Sequence, residues 1–202
     1  MLNKIILASK SKVRKEILDK NKIPNEVKPS NVDEEPVKKS LIKEKVKPEI
    51  ISKNLAELKA NKVSLKITDQ MVLGADSVID LEGELISKPQ NREEAFDILK
   101  KLNGKKHYLV SSVCISKNGA MIWNYTDKAA LKMKNFSDHN LKQYLNKLTD
   151  EALYAYNVYQ IEGEGISLFS KIEGDKISFE GAEFTKTMDD ILMKTEEVKA
   201  EG

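Results

Sequence analysis

A short apolar run, Ile5-Ile6-Leu7-Ala8, breaks at once into hydroxyls and cations at Ser9-Lys10-Ser11-Lys12 and resumes as an amphipathic stretch through Val13, Ile17 and Leu18. A chain that starts this way is committed early to a sheet. A buried strand over 5–9 delivers the chain to a sheet edge, and a helix over 12–20, with Ser11 as its N-cap, follows. The first turn of that helix offers unsatisfied N–H groups and the positive end of its dipole, so an anion can be held there. Ser9 and Ser11 add hydroxyls, and Arg14 adds a planar fork suited to phosphate oxygens. Arg14 is one of two arginines against 32 lysines, which points to geometry as well as charge at that position. The same residues also fit an ordinary strand, turn and solvated helix face.

Charge balance limits what such a loop can serve. The 34 basic and 32 acidic residues leave a net charge of +2, too little for a broad field that grips a nucleic-acid backbone or an anionic membrane, so anion recognition must be local. At 202 residues the chain suits a single domain over 1–202, built as one core or as two lobes sharing a sheet. Cys114, alone and with only His107 and His139 beside it in composition, excludes an intramolecular disulfide and argues against a Cys/His zinc site. No apolar run reaches membrane-spanning length, and the first residues lack a secretory h-region, so a cytoplasmic location is expected.

Residues 23–47 are charged, carry Pro24, Pro29 and Pro36, and show no sustained period beyond Leu41-Ile42, so they read as extended chain and loop. Pro48 opens a helix to Val63 whose stripe of Ile51, Leu55, Leu58, Ala56, Ala60 and Val63 encloses Lys59. A strand over 71–79 and a Gly83 turn into Leu85-Ile86 make a hairpin. Asn91 with Glu94 forms a capping-box pattern for a helix carrying Ala95, Ile98, Leu99 and Leu102, which Gly104 ends. Strands over 108–116 and 120–125 meet at Asn118-Gly119, the strongest short hairpin signal, and a third strand near 128–133 extends the sheet. Ser137 caps a helix through Leu141, Tyr144, Leu145 and Leu148. Further strands are expected over 156–161 and 165–172, and a terminal helix over 189–199. Hairpins mixed with crossover helices imply an α/β fold with a mixed, twisted sheet flanked by helices and a cleft at the sheet edge.

Asp76, in Val72-Leu73-Gly74-Ala75-Asp76-Ser77-Val78-Ile79, is a carboxylate whose apolar neighbours make it costly unless it is paired, metal-bound or at a strand end facing a cleft. Gly74 and Ala75 leave room for a ligand to approach, and Ser77 adds a hydroxyl. A strand-end Asp satisfied by backbone N–H groups is the plainer alternative. Lys59, inside its apolar stripe, must snorkel or meet an anion. Lys88, before Pro89, is placed near the same sheet edge as Asp76, although a loop lysine is commonly just solvated. Asp33-Glu34-Glu35 offers hard oxygens to a divalent cation or is a solvated loop. Glu162, beside Gly163, reads as a polar turn.

Taken in order, Ile6-Leu7-Ala8-Ser9-Lys10-Ser11 with Arg14, Val32-Asp33-Glu34, Leu55-Ala56-Glu57-Leu58-Lys59-Ala60, Gly74-Ala75-Asp76-Ser77, Lys88-Pro89, Leu102-Asn103-Gly104-Lys105-Lys106-His107 and Ile161-Glu162-Gly163-Glu164-Gly165 resemble the Maf family of nucleotide pyrophosphatases. The resemblance implies a cytoplasmic enzyme, acting as a homodimer, that cleaves nucleoside triphosphates to monophosphate and pyrophosphate with Mg²⁺ or Mn²⁺. It implies Asp76 as general base or metal-linked carboxylate, Glu34 beside it at the metal, and Ser9, Arg14, Lys59, Lys88, Ser77 and Glu162 at the substrate. Val13, Ser77 and Glu162 would bear on base choice. Glu162 stands where one branch has Gln, and so resembles the branch that includes methylated-GTP pyrophosphatases, since a carboxylate accepts from a guanine N1–H and amino group. The chain departs from the family at Lys12 and Val13, at Ala155 in place of a lysine, and at Gly181-Ala182-Glu183. Those departures keep a weakly catalytic nucleotide-binding regulator of cell division as one rival expectation, and a pyrophosphatase selective for methylated GTP or for inosine-type triphosphates is the other.

Overall fold

The computed structural model describes residues 4–159 and 164–173. The described residues form two compact units, one of 4–77 and 111–127, the other of 78–110, 128–159 and 164–173. Strands β1 (Ile5–Leu7), β2 (Asn25–Val27), β3 (Val72–Leu81), β4 (Glu84–Ile86), β5 (Lys106–Lys117), β6 (Ala120–Met133) and β7 (Phe169–Glu173) hydrogen bond in the order β2-β1-β3-β5-β6-β7, with β4 on β3. Helices α1 (Lys12–Lys20), α2 (Glu35–Lys43), α3 (Pro48–Ser64), α4 (Arg92–Leu102), α5 (Asp138–Lys147) and α6 (Asp150–Tyr156) complete a mixed α/β fold.

In the first unit β1 pairs in parallel with both β2 and β3, Ile5 opposite Asn25 and Ile6 opposite Val72. Parallel strands of this kind need cover on both faces, and the residue alternation supplies it. Ile5, Leu7, Leu73, Ala75, Val113 and Ile115 pack with Leu18 and Ile23 on one side. Ile6, Ala8, Val72 and Cys114 pack with Ala56, Ala60 and Val63 of α3 on the other. The second unit buries Ile79, Leu99, Leu102, Leu131, Met133, Leu141 and Leu153 around His107, Tyr144 and Tyr159. Its β3–β4 and β6–β7 pairs are antiparallel.

Most of the expected elements stand where the residues put them. Ser11 Oγ accepts from the Arg14 amide at 3.3 Å and caps α1. Asn91 accepts from the Glu94 amide at 2.8 Å, while Glu94 reaches back one residue farther than a capping box requires, to the Gln90 amide at 2.9 Å. Asn118 and Gly119 take φ of 51° and 84°, both left-handed, so they close the β5–β6 hairpin as a primed turn.

Four expectations need correction. Residues 23–47 are not all loop. Pro36 sits in the first turn of α2, where its missing N–H costs nothing, and Asn25–Val27 is too short a strand to show a period. The strands expected over 120–125 and 128–133 are one strand, β6, because polar Thr126 is satisfied within the sheet by Ser112 at 2.8 Å and makes no break. The strand expected over 156–161 is replaced in its described part by the end of α6, whose cap Thr149 accepts from the Ala152 amide at 3.2 Å, followed by a turn at Asn157. The strand expected over 165–172 begins as a 3-10 turn, Glu164–Leu168, and only then becomes β7. The terminal helix over 189–199 lies outside the described residues.

Candidate active site

Asp76 lies within β3 and is buried at 7% exposure, and its Oδ1 accepts from Lys59 Nζ at 2.9 Å. Gly74 brings the two together. A Cβ at Gly74 would stand 2.2 Å from the Ala56 carbonyl oxygen and 2.8 Å from the Ala60 nitrogen, so its absence lets the backbone of α3 lie directly on β3. The room expected there for a ligand is filled by the helix. Lys59 therefore meets anions rather than snorkelling to solvent: its ammonium also reaches Glu34 Oε2 at 3.0 Å and the Ala75 carbonyl at 3.3 Å. Glu34, half-buried at the start of α2, is the one member of the acidic triplet drawn into this cluster, whereas Asp33 and Glu35 are exposed.

The loop before α1 contributes the opposite charge. Ser9 is buried and its Oγ accepts from Arg14 Nη1 at 3.1 Å and from the Ser11 amide at 3.2 Å. Arg14 is close enough to act on Asp76 electrostatically. Burial pushes the Asp76 carboxyl above the ordinary carboxylate range, opposed by Lys59, reinforced by Glu34 and opposed again by Arg14. A raised pKa makes the ionised carboxylate a stronger proton acceptor than an exposed one. Its second oxygen, Oδ2, is buried with no hydrogen-bond partner among the described residues. An orphaned buried carboxylate oxygen is costly, and it fits a water or cation as its missing partner.

Two further groups take part that composition did not single out. Ser52 Oγ, fully buried on α3, donates to the Asp76 main-chain carbonyl at 3.1 Å, and Ser111 on β5 shares a 3.0 Å hydrogen bond with Ser77. Ser52 precedes Lys59 by two helical turns and so shares its face, a spacing legible in the sequence. Ser111 had no such signal, because it depends on which strand lies beside β3. Val13 is half-buried on α1. Lys88 is exposed between β4 and α4 in the second unit. Glu162 and Ala182 lie outside the described residues, and of Ala155 only the helical backbone is described.

Ser9 with Arg14, and Glu34 with Lys59 and Asp76, thus form two linked polar groups around a buried acid in an α/β protein. The Maf-like protein family model matches residues 4–191, and the chain belongs to that family. It is 67% identical over 181 residues to the nucleoside triphosphate pyrophosphatase of Pelagibacter ubique (strain HTCC1062), covering 90% of this chain and 93% of that protein. It is 39% identical over 177 residues to the nucleoside triphosphate pyrophosphatase of Ruegeria pomeroyi (strain ATCC 700808 / DSM 15171 / DSS-3), covering 88% and 89%. With the 7-methyl-GTP pyrophosphatase of Bartonella quintana (strain Toulouse) it shares 39% over 176 residues, covering 87% of each.

Proposed function

We propose that this chain hydrolyses nucleoside triphosphates, canonical or modified, to the monophosphate and pyrophosphate, and so removes unwanted nucleotides from the pool. The observation that carries the reading is Asp76, a buried carboxylate with one oxygen held by Lys59 and the other unpartnered among the described residues. Asp76 takes the proton of a water that adds across the α–β phosphoanhydride, the bond breaks, and pyrophosphate leaves. Ser9 and Arg14 bind phosphate oxygens, with Arg14 supplying the fork and Ser9 fixing it. Lys59 and Lys88 add positive charge for the triphosphate, and Ser77, Val13 and Glu162 bear on the base.

The residues fit a divalent cation. Asp76 and Glu34 offer hard oxygens within reach of a single point, the Lys59 ammonium, and Asp76 Oδ2 has no hydrogen-bond partner among the described residues. No group of three or more acidic, histidine or cysteine ligands exists among the described residues, which suits Mg²⁺ or Mn²⁺ held by two carboxylates and completed by waters and phosphates better than a metal in a protein cage. Bound there, it would neutralise charge on the phosphate oxygens. No described helix is long and apolar enough to cross a membrane. A cytoplasmic homodimer is the assembly this reading carries, and light scattering on the purified protein checks it.

The test offers purified protein a panel of canonical and modified triphosphates, 7-methyl-GTP included, with Mg²⁺ or Mn²⁺, and quantifies monophosphate and pyrophosphate beside Asp76→Asn. Turnover is expected to fall at least about 100-fold in the variant. No turnover on any substrate overturns the enzyme, turnover that survives the substitution removes Asp76 as base, and release of single phosphate overturns the cleavage site. Preference for 7-methyl-GTP would favour the narrower specificity that one group of relatives bears in its name.

A further inference from the structure

The Lys59 ammonium meets three oxygens: it donates to Asp76 Oδ1 at 2.9 Å and to the Ala75 carbonyl at 3.3 Å, and forms an ion pair with Glu34 Oε2 at 3.0 Å. Two carboxylates and a main-chain carbonyl around one point are the ligand type a hard divalent cation prefers. The carboxylate oxygens are no farther apart than the two bond lengths combined. Lys59 itself is 9% exposed, and its stem rises from a helix face packed through Ala56, Ala60 and Val63. A buried carboxylate without compensation is unfavourable, so the protein without metal needs a cation here, and Lys59 is that cation. A lysine is also the side chain able to give the place up, because its charge is compact and its stem has four rotatable carbons, whereas the guanidinium of Arg14 is fixed to Ser9.

We propose that Lys59 is the resident cation of the Asp76–Glu34 pair and changes places with the divalent metal. Metal and ammonium compete for the same oxygens. Metal entry releases the ammonium, which then turns to the triphosphate that arrives with the metal. The free protein consequently binds the metal weakly, and metal and nucleotide bind together much better than either does alone, which protects the site from filling with metal in the absence of substrate. Only the destination of the released ammonium rests on the pyrophosphatase reading; the exchange itself rests on the three contacts.

The experiment uses Mn²⁺ alone, with free Mn²⁺ followed by electron paramagnetic resonance on the wild type, Lys59→Met, Lys59→Arg and Lys59→Met/Asp76→Asn, each checked for fold by circular dichroism. Removing one positive charge from the carboxylate pair is expected to tighten Mn²⁺ binding at least about tenfold in Lys59→Met. Lys59→Arg stays weak, and the double substitution abolishes the gain. Should Lys59→Met not fold, Lys59→Gln keeps a donor without the charge and takes its place. In the wild type, ¹⁵N-lysine spectra carry the buried ammonium as a slowly exchanging signal that diamagnetic Mg²⁺ removes. Unchanged or weaker Mn²⁺ binding in the folded neutral variants, or an ammonium signal indifferent to Mg²⁺, overturns the exchange. Tightened Mn²⁺ binding in a protein that turns over no triphosphate would leave the exchange standing and overturn the hydrolase.

Discussion

Gly74→Ala puts the architecture of the site under direct strain. The new Cβ would lie 2.2 Å from the Ala56 carbonyl oxygen, 2.8 Å from the Ala60 nitrogen and 2.9 Å from the Ala60 Cβ, and two of those three atoms are main chain that no rotamer can move aside. An ordinary carbon–oxygen contact needs roughly 1 Å more, so α3 must lift from β3 by about that distance. Overpacking of this kind costs about 1–3 kcal/mol. The same lift stretches the 2.9 Å bond from Lys59 to Asp76 beyond hydrogen-bond range, forfeiting a charge-assisted bond worth about 1.5–3 kcal/mol. Reduced backbone freedom in the unfolded chain returns about 0.4–1 kcal/mol. The net expectation is a loss of about 2–5 kcal/mol. Trp123, the single tryptophan, packs against the apolar cluster of the same unit and reports its unfolding in urea. Gly83→Ala, which lies in the other unit and is followed by circular dichroism, is the control: nothing stands within 4 Å of its Cβ, and its φ of +89° exposes it to backbone strain alone, of about 1–2 kcal/mol. A Gly74→Ala protein within 1 kcal/mol of wild type in that unit, or no worse than Gly83→Ala, would refute the close-approach argument.

Two other outcomes follow from named contacts. His107 is fully buried beside Tyr159, with its Nε2 2.8 Å from the tyrosine hydroxyl and its Nδ1 unpartnered among the described residues, and burial lowers its pKa from 6.5 to about 4. Because the unfolded imidazole protonates first, its contribution is intact above pH 6.5 and is lost as pH falls toward 4, by about 3 kcal/mol, and urea melts of His107→Gln should lack that part of the wild-type pH dependence. Arg14→Lys keeps the charge but not the fork on Ser9, so KM for a triphosphate should rise about tenfold or more in steady-state assays, and an unchanged KM would show that charge alone suffices.

The candidate site was legible wherever a residue contradicted its own surroundings. Lys59 in an apolar stripe and Asp76 in an apolar strand each needed a partner, and each is the other's. Ser9, Ser11 and Arg14 were legible because strand, cap and cation succeed one another within ten residues, and local hydrogen bonds link all three. What stayed hidden depends on contacts far apart in sequence or on elements too short to show a period. Gly74 looked like space for a ligand because a glycine records that something comes close, not what it is. Helix α2 was concealed by Pro36, read as a breaker although it sits where a helix tolerates it. Helix α6, of seven residues, offers barely two turns of pattern beyond its cap at Thr149. Ser111 carries no signal at all until β5 is known to lie beside β3.

These contacts make α3 the element that sets the site. Ser52 and Lys59 stand seven residues apart, about 10 Å along the helix axis, and both end on the same residue of β3, the first on its main-chain carbonyl and the second on its carboxylate. The shorter side chain fixes where the strand lies and the longer one crosses the remaining distance to neutralise the acid. A sliding or lifting helix would break both bonds, so the position of Asp76 and its protonation are governed together by how closely α3 rests on Gly74. Exchange at Lys59 escapes that constraint. The ammonium can leave its three oxygens by rotation of its own stem while Ser52 still holds the carbonyl, and Asp76 therefore keeps its place while it changes cation.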